Sequence, residues 1–155
     1  MNDDIKVLRE LSLPEQLGRL SRLWRTAADK ELAPLQLTYS RWTALWKLKC
    51  LNDNISQKTL ADSLEIELAS LMRTLKQLEE QELIVRRSSD KDKRVRIVTL
   101  TAQGHAVICK IEAHIMQVRR DLLAGIDEAE ISQFKNVIER IAGNALHRLN
   151  DTETQ

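Results

Sequence analysis

Four glycines and two prolines in 155 residues leave this chain few places to turn sharply, so it must be built largely from long helices joined by short corners. The breakers fall at the edges of periodic apolar segments. Ser12-Leu13-Pro14-Glu15 has the form of a capping box with proline in the first turn, and Leu17, Leu20, Trp24, Ala27 and Ala28 follow at helical spacing until Pro34 stops the helix. Thr38 is placed to cap a second helix with Trp42, Leu45 and Trp46 on one side, ending near Asn52-Asp53-Asn54. Ser56 caps a short third helix, Gln57–Leu64, with Leu60, Ala61 and Leu64 inward. Only Glu65-Ile66 separates it from a fourth, at about residues 67–81, so these two helices form a tight corner.

The fourth helix has two faces. Leu71, Leu75 and Leu78 make an apolar stripe, while Ser70, Arg73, Thr74, Gln77 and Gln81 make a polar one roughly 100° away by the helical period. One face suits the core of the domain and the other an external polar partner. Beyond it, residues 83–87 and 94–100 are short and β-branched, separated by the polar turn 88–93, which predicts a two-stranded hairpin. Thr101 caps a fifth helix in which Ile108, Ile111, Ile115, Val118 and Leu122 alternate threes and fours until Gly125. Asp127-Glu128-Ala129-Glu130 opens a sixth with the same seam, Ile131, Phe134, Ile138, Ile141 and Ala145, extended towards Leu149; the polar tail after Asn150 is expected to fray.

Charge matters here through its distribution. Twenty-four Lys and Arg nearly cancel twenty-three Asp and Glu, yet residues 84–96 hold six cations (Arg86, Arg87, Lys91, Lys93, Arg94, Arg96) against Asp90 and Asp92. Helix, tight corner, helix, then basic hairpin is the order of a winged helix-turn-helix. The predicted fold is therefore mainly α with a small β-hairpin wing, flanked by N- and C-terminal helices whose seams suit helix-helix packing. A helix fits the major groove, where each base pair shows a distinct pattern of donors and acceptors. Ser70, Arg73, Thr74 and Gln77 can supply the complementary groups, and Arg94 at the hairpin tip can enter the minor groove, where negative potential favours a guanidinium. Taken singly, a close helix pair also reads as ordinary packing and a charged hairpin as a solvated edge; contiguity favours DNA.

Other chemistries find little footing. Glycine-rich phosphate loops and convergent Ser/His/Asp groupings are absent, so neither an enzyme nor a cofactor is expected. Cys50 and Cys109 read as buried, inert thiols rather than a redox pair, and His105 and Cys109, one turn apart, lack a third ligand for zinc, so no metal is expected. With no signal segment and no apolar run near membrane-spanning length, a cytoplasmic chain is expected, with no membrane partner.

Three stretches resemble the MarR/SlyA transcription regulators, the SlyA branch most of all, over about residues 14–149. They are Leu32-Ala33-Pro34-Leu35-Gln36-Leu37-Thr38, then Ser70-Leu71-Met72-Arg73-Thr74-Leu75-Lys76-Gln77-Leu78-Glu79, then Asp92-Lys93-Arg94 leading into Leu100-Thr101, which matches the family's Asp-x-Arg wing followed by Leu-Thr. The resemblance implies one domain over 1–155, with 38–101 as the DNA-binding region and 12–33 and 102–150 as dimerisation helices. It also implies that Arg94 probes the minor groove with Asp92 orienting it, that Ser70 and Arg73 meet the major groove or its phosphates, and that Ser56, Gln57 and Arg86 contact the backbone. A homodimer on double-stranded DNA with an inverted repeat follows from it, since recognition helices about 34 Å apart meet successive groove faces. Related regulators hold a small aromatic carboxylate, for which the resemblance names Arg22, Ser40, Trp42, Trp46 and Thr74; the two tryptophans by themselves read as core. The chain departs from the SlyA pattern at Glu82, where Gly is usual after the recognition helix, at Leu68-Ala69 in place of Gln-Pro, and at Trp46 in place of His. The first predicts an altered helix end, because a left-handed cap costs a residue with a Cβ roughly 1 kcal/mol.

Overall fold

The computed structural model describes residues 2–152, which divide into two compact units, one ending at Arg119 and the other beginning at Arg120. The first opens with a helix that periodicity did not reveal, α1 (Asn2–Glu10), carrying Asp3 and Asp4 in its first turn and Arg9 in its last, as the helix dipole favours. Then comes α2 (Leu13–Leu32), whose start is the expected capping box: the Glu15 carboxylate accepts from Ser12 N (3.0 Å) and Ser12 Oγ (2.5 Å). Those two bonds hold the Glu15 carboxyl below its ordinary range. A 3-10 turn at Ala33–Leu35 follows, then α3 (Tyr39–Cys50), β1 (Ile55–Ser56), α4 (Gln57–Leu64) and α5 (Leu68–Glu80). The hairpin is β2 (Ile84–Ser88) and β3 (Arg96–Leu100), after which α6 (Ala102–Leu122) runs across the unit boundary. The second unit contains α7 (Glu128–Thr152). Its helix persists past Asn150, where fraying was expected, and residues 153–155 lie outside those described.

The sheet has three strands rather than two, in the order β1-β3-β2, all antiparallel. Two residues, Ile55 and Ser56, pair with Val98 and Ile97, a segment too short to carry a period of its own. Its effect is to close one edge of β3 directly before α4 begins, so the corner and the wing share a sheet. Behind them lies a core of Leu32, Leu45, Leu48, Leu60, Leu71, Leu75, Leu78, Ile84, Val98 and Ile111, all essentially inaccessible to solvent. Each such side chain contributes about 1.5–3 kcal/mol relative to exposure. The apolar stripe of α5 is thus the floor on which its polar stripe stands.

The ends of α3, α4 and α5 are set without glycine. Asn52, Glu65 and Glu82 take left-handed φ values of 62°, 54° and 58° just beyond α3, α4 and α5. In each case the following amide closes on the carbonyl five residues back, Asp53 N to Leu48 O (2.8 Å), Ile66 N to Ala61 O (3.1 Å) and Leu83 N to Leu78 O (3.0 Å). The altered end expected from Glu82 is therefore corrected: the left-handed cap forms, because burial of Leu83 and Ile84 outweighs its conformational cost. One glycine is required for space instead. A Cβ on Gly104 would lie 2.1 Å from the Leu83 carbonyl oxygen, the same oxygen that accepts from Thr101 N. Thr101 Oγ1 donates to Glu82 O (2.7 Å) and accepts from Gly104 N (2.9 Å), so the start of α6 is fixed against the end of α5.

Gly104→Ala is accordingly expected to destabilise the fold by at least about 1–3 kcal/mol, and Glu82→Gly to stabilise it by about 1 kcal/mol, raising the melting midpoint by about 2–4 °C. Thermal denaturation of both variants beside the wild type checks the pair of opposite signs.

Candidate nucleic-acid interface

Three elements present the residues singled out from the sequence. On α5, Ser70, Arg73 and Gln77 are exposed and recur at spacings of three and four, giving one stripe. Thr74 does not belong to it: it is 7% exposed, and its Oγ1 turns back towards Ser70 O (3.5 Å). The helical period explains this correction, since Thr74 lies about 40° from Leu78 and about 60° from Leu71, on the flank of the buried stripe. At the start of α4, the N-cap Ser56 is half-buried and committed to its cap, accepting from Thr59 N (3.0 Å), while Gln57 is buried. Both were expected to touch the DNA backbone; the first is occupied locally and the second faces inward.

Arg86 is the larger correction. Expected as an outward contact, it has a side chain only 13% exposed, and its Nε and Nη2 each donate to the Glu79 carboxylate at 3.2 Å, as does its own backbone N. Its Nη1 donates to Gln57 Oε1 (3.4 Å). One guanidinium therefore joins the recognition helix, the foot of the wing and the start of α4. The planar fork of arginine suits such a carboxylate grip, and lysine would not reproduce it. The hydrogen bond from Arg86 draws the Glu79 carboxyl below its ordinary range, against a smaller opposing effect of burial. No sequence period flags this pair, because it bridges a helix and a strand.

At the far end of the wing the same chemistry faces outward. Arg94 is 92% exposed, with its Nε and Nη2 donating to Asp92 Oδ1 (3.2 Å) and Oδ2 (3.3 Å), and its backbone N to Asp92 Oδ1 (3.0 Å). These bonds lower the Asp92 carboxyl from its ordinary value, the side-chain bond most. The turn between is closed by Ser89 N to Val95 O (2.8 Å) and Val95 N to Asp92 O (3.0 Å). Asp92 therefore fixes the direction of the Arg94 side chain. Arg87, Lys91, Lys93 and Arg96 also reach solvent, so the wing is cationic along its length.

The residues named for an aromatic acid are spread over α2, α3 and α5. Arg22 and Ser40 are exposed and Trp46 is half-buried, with Lys49 Nζ 4.8 Å from its ring centroid. Trp42 is core, as its side chain alone implied: it is 8% exposed, its Nε1 donates to Asp29 Oδ1 (2.8 Å), and Tyr39 meets it edge-on at 5.4 Å. Both cysteines are exposed, which overturns the expectation of buried thiols: Cys50 ends α3 and Cys109 takes an outer position on α6. Among the described residues no group of three His, Cys, Asp or Glu side chains is arranged to hold a metal, and no helix is long and apolar enough to cross a membrane.

A three-helix corner backed by a sheet, with a cationic wing beside an outward polar helix, defines a winged helix. The MarR family model matches residues 37–95, the span from the start of α3 into the wing. The transcriptional regulator PA3341 is 35% identical, with a TM-score of 0.80 over 88% of this chain and 99% of that one. The transcriptional regulator SlyA is 25% identical with a TM-score of 0.76, covering 87% of this chain and 94% of that one. A MarR family regulator from Listeria monocytogenes complexed with 26mer DNA shares the fold, at 23% identity and a TM-score of 0.76 over 86% of this chain and 89% of that one. The chain belongs to the MarR family of transcriptional regulators.

The wild type is expected to lose part of its stability advantage over Glu79→Gln in acid. A carboxyl lowered in the folded state contributes stability that is full above the ordinary carboxylate range and is lost as pH falls through its folded value. Arg86→Ala, which leaves the Glu79 and Gln57 acceptors unpartnered, should cost about 1–3 kcal/mol at neutral pH. Denaturant titrations at several pH values measure both.

Proposed function

We propose that this chain is a cytoplasmic, homodimeric regulator and not an enzyme, binding double-stranded DNA at an inverted repeat. In this reading α5 lies in the major groove through Ser70, Arg73 and Gln77, and the wing places Arg94, oriented by Asp92, in the adjacent minor groove. The carrying observation is the contrast between two arginines on one hairpin: Arg86 is enclosed and Arg94 is 92% exposed at the tip of a cationic turn. A solvated edge would have no need of a carboxylate that fixes its most exposed guanidinium. The reading also accords with relatives of the same fold crystallised with DNA, the Listeria regulator with a 26mer and a mutant MarR from E. coli with operator DNA.

Dimerisation through 12–33 and 102–150, within a single domain of 1–155, is supported by apolar side chains left exposed on one chain. On α2 these include Leu20, Leu23 and Trp24, and on α7 Phe134, Val137, Ile138 and Ile141. Water-facing stripes of this kind on amphipathic helices are surfaces awaiting a partner. Modulation by a small aromatic carboxylate would rest on the exposed Arg22 and Ser40 and the half-buried Trp46, since Trp42 and Thr74 are buried.

Selection from a random duplex pool should enrich an inverted repeat, and Arg94→Ala should weaken binding to it by about 1–3 kcal/mol. Affinity should fall steeply with salt, with a log-log slope of roughly −0.9 per phosphate neutralised. A flat salt response would favour a protein-binding module instead. Repeating the titration with salicylate tests the effector.

A further inference from the structure

Among the described residues, the segment joining α3 to the sheet holds the longest run of left-handed backbone. Asn52, Asp53 and Asn54 hold φ values of 62°, 59° and 52°, three successive left-handed residues of which only the first is needed to end the helix. Left-handed backbone is visited by single Asn or Asp residues, not by runs of them, so something over-determines this turn. The side chains show what it is. Asn54 Oδ1 accepts from Arg87 Nη2 on β2 (2.8 Å) and from Thr99 Oγ1 on β3 (3.2 Å), bridging both wing strands. Asp53 Oδ1 accepts from Leu100 N (2.9 Å) and from Asn54 N (2.7 Å), and its Oδ2 lies 3.7 Å from His105 Nε2 on α6.

We infer that the Asn52-Asp53-Asn54 turn is a positioning device for the wing, holding its two strands at a fixed attitude to the corner through Asn54. The inference rests on the DNA reading above only for its consequence; the grip itself is a property of the free chain. It complements the Glu79–Arg86 pair, which anchors the β2 strand from the recognition helix, whereas Asn54 spans β2 and β3 from the end of α3. Arg87 and Thr99 sit opposite Ile97 and Val85 in the ladder, close to where the wing projects. A rigid wing loses less freedom on entering a groove, so the turn raises affinity without touching DNA.

Two substitutions separate this role from simple folding. Asn54→Gly keeps the left-handed backbone and removes the acceptor; Asn54→Asp keeps both. Amide exchange in the free proteins should rise about tenfold across residues 87–99 in N54G, stay near wild type in N54D, and leave the amides of α3 unchanged in both. The melting midpoint of N54G should not fall. Against the duplex that the wild type enriches from a random pool, N54G should bind about five- to tenfold more weakly and N54D like the wild type. Wing exchange in N54G equal to wild type overturns the inference, as does faster wing exchange with unaltered affinity. Should the wild type enrich no duplex, the DNA reading fails by itself, and the exchange data still decide whether the turn grips the wing.

Discussion

The Glu79 carboxylate and the Arg86 guanidinium meet where the recognition helix turns into the wing, and the geometry of the whole reading surface depends on that contact. On the proposed reading, with the helix in one groove and the hairpin reaching the next, the two must hold a fixed angle, yet they are joined by a corner of only a few residues. Apolar packing alone leaves such an angle soft, since it is non-directional. Three donors from one residue to one carboxylate, with Gln57 taking a fourth, supply direction. The arrangement is placed where water is largely excluded from the arginine, which strengthens each bond and penalises its loss.

Neighbouring carboxylates decide what each wing arginine does. Arg86, beside Glu79, is turned inward and becomes structure; Arg94, beside Asp92, is held outward and keeps its charge available. Asn54 exerts the same control over Arg87 without a charge. A cationic count for the segment therefore overstates the number of side chains free to meet phosphate, and the salt dependence of binding should reflect the smaller set.

Much of the architecture was legible in the sequence because it is periodic or punctuated. Caps at Ser12, Ser56 and Thr101, the leucine stripe of α5 and the β-branched strands each carry their own local signal. What escaped lacks such a signal. Ile55-Ser56 is too short to show alternation, and α1 carries few apolar residues with which to mark a face. Gly104 looks like any helical glycine until the Leu83 carbonyl is placed against it. At the site, Ser70, Arg73, Gln77 and Arg94 are exposed and Asp92 is half-buried, while Thr74, Gln57 and Arg86 are drawn inward. Polarity placed Thr74 outside and the family resemblance did so for Gln57 and Arg86, and only the tertiary partner Glu79 and the flank of the leucine stripe argue otherwise. The cysteines failed for a related reason: average burial says nothing about which side of a helix faces out.

Hydroxyl-radical footprinting of the wild-type chain on its selected duplex tests most directly whether helix and wing address the same DNA from one rigid head. The account predicts two symmetric half-sites, each with protection in a major groove and in the adjoining minor groove, the latter disappearing in Arg94→Ala while the former persists. Protection of a single isolated groove, or a minor-groove signal indifferent to Arg94, would contradict it.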